Sequence, residues 1–273
     1  MFFSTYTYFD NNRRGTLSAR DVVVDLASES MKLSLGSDSQ MYSLHSGMLK
    51  VIAKCAAPEH SSGIYRKTLD LLNEYPEYSF TITGHSLGAG LASILGVFWA
   101  DPKTCRTRPE SLLPNRQVQV LAFACPSVMD ENLGSKCSNL ILTVVIGWDW
   151  LARVSHAAVL EIRDAAIKLK EAEQENPELL KSIISGKFSN PERDLETLLE
   201  LRQSLASQSN LYDRIYPPGR IAWIYKTMAT QGGDAFAFYN VEDRTKVFGE
   251  ILFDDNMMKH HQPDSYDSIL DEM

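Results

Sequence analysis

The chain reads as an α/β fold with a mostly parallel central sheet, helices on both faces and a charged helical insertion. Three observations predict it. Short, buried-looking runs at Tyr78–Thr83, Gln117–Ala124 and Leu140–Ile146 alternate with helical or loop segments, the pattern of a parallel sheet built from crossover units. A Gly-x-Ser-x-Gly pentapeptide, Gly84-His85-Ser86-Leu87-Gly88, sits between the first of these strands and a helix over Leu87–Trp99. A stretch from Ala165 to Ser209, rich in Glu, Lys, Leu and Gln and broken at Pro177 and Pro191, reads as two or three solvated helices.

Taken in order, Ser18-Ala19-Arg20-Asp21 has the form of a capping box opening a helix through Val22, Val23, Val24 and Leu26. The serine-rich, polar Ser28–Ser43 segment is expected to be a loop. Helical spacing follows from His45 to about Ala56 and again over Ile64–Asn73, with Pro58 between them. After the three strands and the inserted helices, Arg220–Lys226, Ala235–Tyr239 and Lys246–Phe253 are predicted as strands. Tyr266–Glu272 is predicted as a last helical turn. With 273 residues there is enough chain for one large core, so residues 1–273 are read as a single domain with an insertion at about 165–209.

Composition excludes several functions. A net charge of -8 and a pI near 5.3 disfavour a nucleic-acid partner and attachment to anionic lipid through a polybasic patch. No apolar run approaches the roughly 20 residues of a spanning helix, and the first ten residues lack the basic start and apolar core of a signal peptide. The expected location is therefore cytoplasmic, with peripheral attachment to membranes left open. Four scattered cysteines (Cys55, Cys105, Cys125, Cys137) include no Cys-x-x-Cys pair, so they are read as free thiols rather than zinc ligands or a disulfide framework. No cofactor is expected.

The pentapeptide alone is a common pattern, and its strand-to-helix setting is what gives it meaning. Glycines two residues either side of Ser86 permit the sharp turn that lifts a hydroxyl clear of the sheet end. A serine hydroxyl is a weak nucleophile until a base takes its proton, so an acid and a histidine are needed downstream, in that order. Asp149 follows the strand Leu140–Ile146 through Gly147 and Trp148, where a loop can aim its carboxylate. Three histidines lie beyond the pentapeptide: His156, His260 and His261. His261, which follows the predicted strand ending at Phe253 by a short loop and precedes Gln262-Pro263, suits the base role. His260 is its neighbour and is not separated from it by spacing, and His156 falls only seven residues past Asp149. An oxyanion hole also needs two N–H donors. Leu87 is one candidate, and Thr16 of Arg14-Gly15-Thr16 is the other.

Several segments together resemble the class 3 (fungal-type) lipase family, and within it the sn-1-specific diacylglycerol lipase branch. They are Arg14–Leu26, Leu44–Leu49, Thr81–Leu95, Ala122–Val128, Val144–Ser155, Tyr216–Ile221 and His260–Tyr266, in the family's order and across nearly the whole chain. The resemblance implies an α/β-hydrolase fold, a Ser86–Asp149–His261 triad and hydrolysis of a diacylglycerol or triacylglycerol ester at a lipid–water interface. It places the Ser28–Ser43 segment where family members carry a lid. Calcium enters by the resemblance only, since no acidic cluster here has ligand spacing. Two departures stand out. Asp10-Asn11-Asn12-Arg13 occupies the place of the apolar strand that runs into Arg14-Gly15-Thr16 in the family, so that strand is missing or displaced to Phe2–Phe9. His260 stands where the family often has aspartate. Two other readings accompany the hydrolase: a lipase-fold pseudo-enzyme that binds lipid or protein, and an esterase for a non-lipid substrate.

Overall fold

The computed structural model describes residues 2–4, 28–35, 39–56, 58, 63–188, 190–208, 212–228 and 234–272. The expected capped helix after Ser18, and Thr16 itself, lie outside these residues. The chain divides into two compact units, one formed by Met1–His156 with Arg214–Met273 and the other by Ala157–Asp213.

In the first unit the chain runs β1 (Phe2–Ser4), β2 (Ser30–Ser34), β3 (Met41–His45), α1 (Ser46–Ala56), α2 (Gly63–Glu74), β4 (Phe80–His85) and α3 (Leu87–Trp99). A small ribbon of β5 (Ala100–Asp101) and β6 (Arg106–Thr107) leads to β7 (Val118–Phe123), α4 (Glu131–Lys136) and β8 (Ile141–Ile146). The six-stranded main sheet has the order β1-β4-β7-β8-β9-β10, where β9 is Arg220–Met228 and β10 is Asp234–Asn240. Every neighbouring pair is parallel except β9 with β10, which run antiparallel at the edge. The strand at Phe2–Ser4 pairs with Thr81–Thr83 of β4. An extended segment thus lies within the displaced alternative that the sequence left open.

β8 shows why the sheet is covered on both sides, because successive side chains point to opposite faces. Val144 and Ile146 join Ala124, Ile224 and Tyr266 in one cluster, with Ile269 packed beside them. Val145 joins Ala152, Ile221 and Phe248 in another. The first cluster is closed by α10 (Pro263–Asp271) and the second by α8 (Arg244–Phe248). A four-residue helix, α9 (Met257–His260), lies between these two in the chain.

Two expectations are corrected. The Ser28–Ser43 segment is not a loop: β2 and β3 form an antiparallel hairpin, with Leu33 opposite Tyr42 and Met31 opposite Leu44. Period-two alternation is only one repeat long on each strand, Met31 with Leu33 and Tyr42 with Leu44, and the serine-rich stretch joining them hides it. The second is Lys246–Phe253, which is not a strand. Asp243 caps a helix there by accepting from the Thr245 and Lys246 N–H groups at 3.1 and 3.2 Å, which sets Arg244–Phe248 into helical turns.

The second unit holds most of α5 (His156–Glu175), together with α6 (Leu179–Ser185) and α7 (Pro191–Gln208). The expected stretch from 165 to 209 falls within it. Asn176 donates to Asp194 at 2.8 Å and the Tyr212 hydroxyl to Asp164 at 2.9 Å, while Ile184, Leu195 and Leu199 stay exposed.

Candidate active site

Everything begins at the C-terminal end of β4. Parallel pairing sets Gly84 opposite Ala122 and His85 opposite Phe123 on β7. The next amide, Ser86 N–H, donates to the Phe123 carbonyl at 3.0 Å. The chain then reverses into α3 through Ser86 itself, at φ 58 and ψ -129. A non-glycine residue held in this region stores on the order of 1–3 kcal/mol, and such strain gathers at functional sites. Gly84 is what lets the turn close, since a Cβ there would lie 2.3 Å from the Gly88 carbonyl oxygen. Leu87 is the first residue of α3, so its N–H has no partner within the helix and sits at the positive end of the helix dipole.

The acid arrives from β8. After Ile146 the chain turns at Gly147 (φ 50), whose carbonyl accepts from Trp223 Nε1–H at 2.8 Å. Asp149 follows, 1% exposed. A buried carboxylate must be hydrogen-bonded, and this one has three donors. Leu151 N–H donates to Oδ1 at 3.0 Å, the Tyr266 hydroxyl donates to Oδ2 at 2.7 Å, and His261 Nδ1–H spans both oxygens at 3.0 and 3.2 Å. Because a carboxylate only accepts, His261 carries its proton on Nδ1 and presents a bare Nε2. That nitrogen lies 3.0 Å from Ser86 Oγ, so the hydroxyl donates to it.

The structure thus brings Ser86, Asp149 and His261 into one hydrogen-bonded chain, and Leu87 stands next to the serine. His260, the rival base, faces elsewhere: its Nδ1 accepts from Trp148 N–H at 3.0 Å. His156 is the first residue of α5, and the position beside Ser86 belongs to His261. Thr16, the other expected oxyanion donor, is outside the described residues.

Two further groups touch this chain, and spacing alone gave neither of them. Tyr266 packs in the core cluster under Asp149, and burial beside that carboxylate drives its hydroxyl pKa well above the ordinary range. His85 places Nε2 3.0 Å from the His261 carbonyl oxygen, and its ring centroid lies 5.1 Å from that of His261. Burial, followed by the neighbouring His261, pushes the His85 pKa down to about 4. Both residues were visible as members of quoted motifs, but their partners are distant in sequence. Among the described residues no group of three or more His, Cys, Asp or Glu side chains is arranged to hold a metal ion. The sequence allowed calcium by resemblance only.

A mostly parallel sheet ending in a strained serine turn, with a histidine on the hydroxyl and a carboxylate on that histidine, has the architecture of an α/β-hydrolase. The class 3 lipase family pattern matches residues 12–158, more than half of the sequence, and the chain belongs to that family. Mouse diacylglycerol lipase-beta is 29% identical over 143 residues, covering 52% of this chain and 19% of the mouse protein. Human diacylglycerol lipase-alpha is 23% identical over 270 residues, covering 92% of this chain and 24% of the human one. The chain therefore spans a fifth to a quarter of the length of these relatives. It is also similar to the solved structure of lipase II from Rhizopus niveus, at 13% identity with a TM-score of 0.45, over 90% of this chain and 67% of that one.

Proposed function

We propose that the chain is a serine hydrolase that cleaves the ester bond of a glycerolipid, a diacylglycerol or triacylglycerol, through an acyl-enzyme. The observation that supports this reading is the hydrogen-bonded chain from Ser86 Oγ to His261 Nε2 at 3.0 Å and from His261 Nδ1 to Asp149 at 3.0 Å, in a member of a lipase family. Ser86 Oγ bonds to the ester carbonyl carbon as its proton passes to Nε2. The Leu87 N–H, with the Thr16 N–H assigned by resemblance, stabilises the oxyanion. Collapse breaks the bond to the glycerol oxygen, which leaves with the Nε2 proton. Water, activated by the same nitrogen, then attacks the acyl carbon and frees the fatty acid. Asp149 orients the imidazole throughout and stabilises the imidazolium.

No helix among the described residues is long and apolar enough to cross a membrane, and the proposed association is peripheral. In this reading residues 1–273 form one catalytic domain, with the helical unit as an insertion.

Two measurements test the reading. A fluorophosphonate probe should label the folded protein at Ser86 and leave the Ser86→Ala variant unlabelled. Absence of label on folded wild type would favour the pseudo-enzyme instead. Hydrolysis of emulsified glycerolipid should exceed that of soluble short-chain esters, and the reverse preference would point to a non-lipid esterase.

A further inference from the structure

His261 stands between two short helices. It follows α9, a helix of four residues, none of them buried. The local bonds of this segment, His260 N–H to Asn256 O at 2.8 Å and the Ser265 hydroxyl to Lys259 O at 2.7 Å, shape the turn and join it to α10, whose Tyr266 is buried. A base must nonetheless be held to a fraction of an ångström, since a misplacement of about 1 Å can slow a reaction a hundredfold.

Two other histidines cross-link the segment to the rest of the site. His85, the residue before the nucleophile, reaches the main-chain carbonyl of the base at 3.0 Å over 176 positions of sequence. His260, the residue before the base, receives the main-chain N–H of Trp148, the residue before the acid, at 3.0 Å over 112 positions. The base loop is thereby pinned to the nucleophile loop by the side chain one position ahead of Ser86, and to the acid loop by the side chain one position ahead of His261. We propose that His85 and His260 form a two-histidine brace: positioning residues that fix the spacing of the nucleophile, base and acid loops through main-chain hydrogen bonds. This rests on the hydrolase reading above, because it assigns the brace to the placement of His261.

The chemistry fixes one protonation pattern. A carbonyl only accepts, so His85 must be the Nε2–H tautomer, and its buried Nδ1 has no hydrogen-bond partner among the described residues. An N–H only donates, so His260 must keep Nδ1 bare and carry its proton on Nε2. The bond of His260 requires a neutral ring, whereas that of His85 requires only a proton on Nε2. Burial lowers both pKa values, against Asp149 and Asp267 near His85 and against Asp254 and Asp149 near His260, while His261 and Lys259 act with burial. The approach of His260 also explains Gly147, where a Cβ would lie 2.7 Å from His260 Nδ1.

The brace makes a crossed prediction. Glutamine carries its amide nitrogen the same number of bonds from Cα as imidazole Nε2, whereas asparagine places its carbonyl oxygen where imidazole Nδ1 sits. His85→Gln and His260→Asn should therefore keep most of the rate at which the fluorophosphonate phosphonylates Ser86, with loss of fluoride, per folded molecule. His85→Asn and His260→Gln should lose it roughly tenfold to a hundredfold, with the fall in the maximal labelling rate rather than in the probe concentration that half-saturates it. Equal rates in all four variants, or equal losses, would overturn the brace, because a space-filling role has no reason to prefer opposite amides at the two sites. Nitrogen-15 NMR of the wild type supplies a readout that needs neither turnover nor a variant. Both His85 and His260 should be neutral Nε2–H tautomers at pH 7, and an Nδ1–H form of either also overturns the proposal. A wild type that fails to label but shows these tautomers would sink the hydrolase reading and leave the brace standing.

Discussion

The proposed nucleophile and the proposed base are held in opposite ways. Ser86 sits at the junction of β4 and α3, and α3 buries Ala89, Gly90, Ala92, Ser93, Ile94, Gly96, Val97 and Trp99. His261 follows a short helix with no buried residue and is fixed by hydrogen bonds from other loops. Packing against a core resists displacement over many atoms at once, whereas a bond-held segment depends on a few donors and acceptors. The difference teaches that strain can be stored where packing is dense, and that a sparsely buried segment needs polar ties.

Changes at the elbow test the packed half and should be the largest. Ser86→Gly should remove hydrolysis by at least roughly ten-thousandfold. The same change should raise stability by about 1 kcal/mol, because glycine relieves the positive φ. Activity assays with a denaturant titration check both, and a variant less stable than wild type would show that the turn is unstrained.

Acid should attack the bond-held half. His85 has a folded pKa of about 4, below its ordinary 6.5. The unfolded chain therefore takes up the proton first, and stability falls as pH drops. The contribution is complete above about 6.5 and is lost progressively toward about 4, on the order of 3 kcal/mol in all. His260 is shifted in the same direction. Urea midpoints measured from pH 7 to pH 4 should decline, more steeply in wild type than in His85→Gln.

Tyr266→Phe takes one donor from the buried carboxylate and leaves Oδ2 to His261 alone. A loss of about 1–3 kcal/mol is expected, together with a reduced kcat. Thermal unfolding and single-turnover rates measure the two. Gly147→Ala should have the smallest effect, about 1–2 kcal/mol for the left-handed φ, with a further shift of the His260 ring. If its Tm matched wild type, the close approach of His260 would be in error.

The sequence carried the packed half of the site better than the bond-held half. The elbow was legible because strand, turn and helix are contiguous and each has a local signature. Asp149 was legible because a strand end is a local event too. His261 was found by chain order, although the strand expected ahead of it is a helix capped by Asp243. The contacts of His85 and Tyr266 were not legible, since their partners lie 176 and 117 positions away and no local pattern encodes them. The hairpin at residues 30–45 was missed for another reason: serine is neutral to burial, and it masked an alternation carried by only four apolar side chains.

The hydrogen bond between Ser86 and His261 joins residues 175 positions apart. Such a contact forms only after the intervening chain has lost its freedom, and loop-closure entropy places it late in folding. The sheet can therefore be complete while the protein is chemically silent. Reactivity of Ser86 then becomes a clock for the docking of the segment that carries His261, and a chain still short of that segment holds a harmless serine.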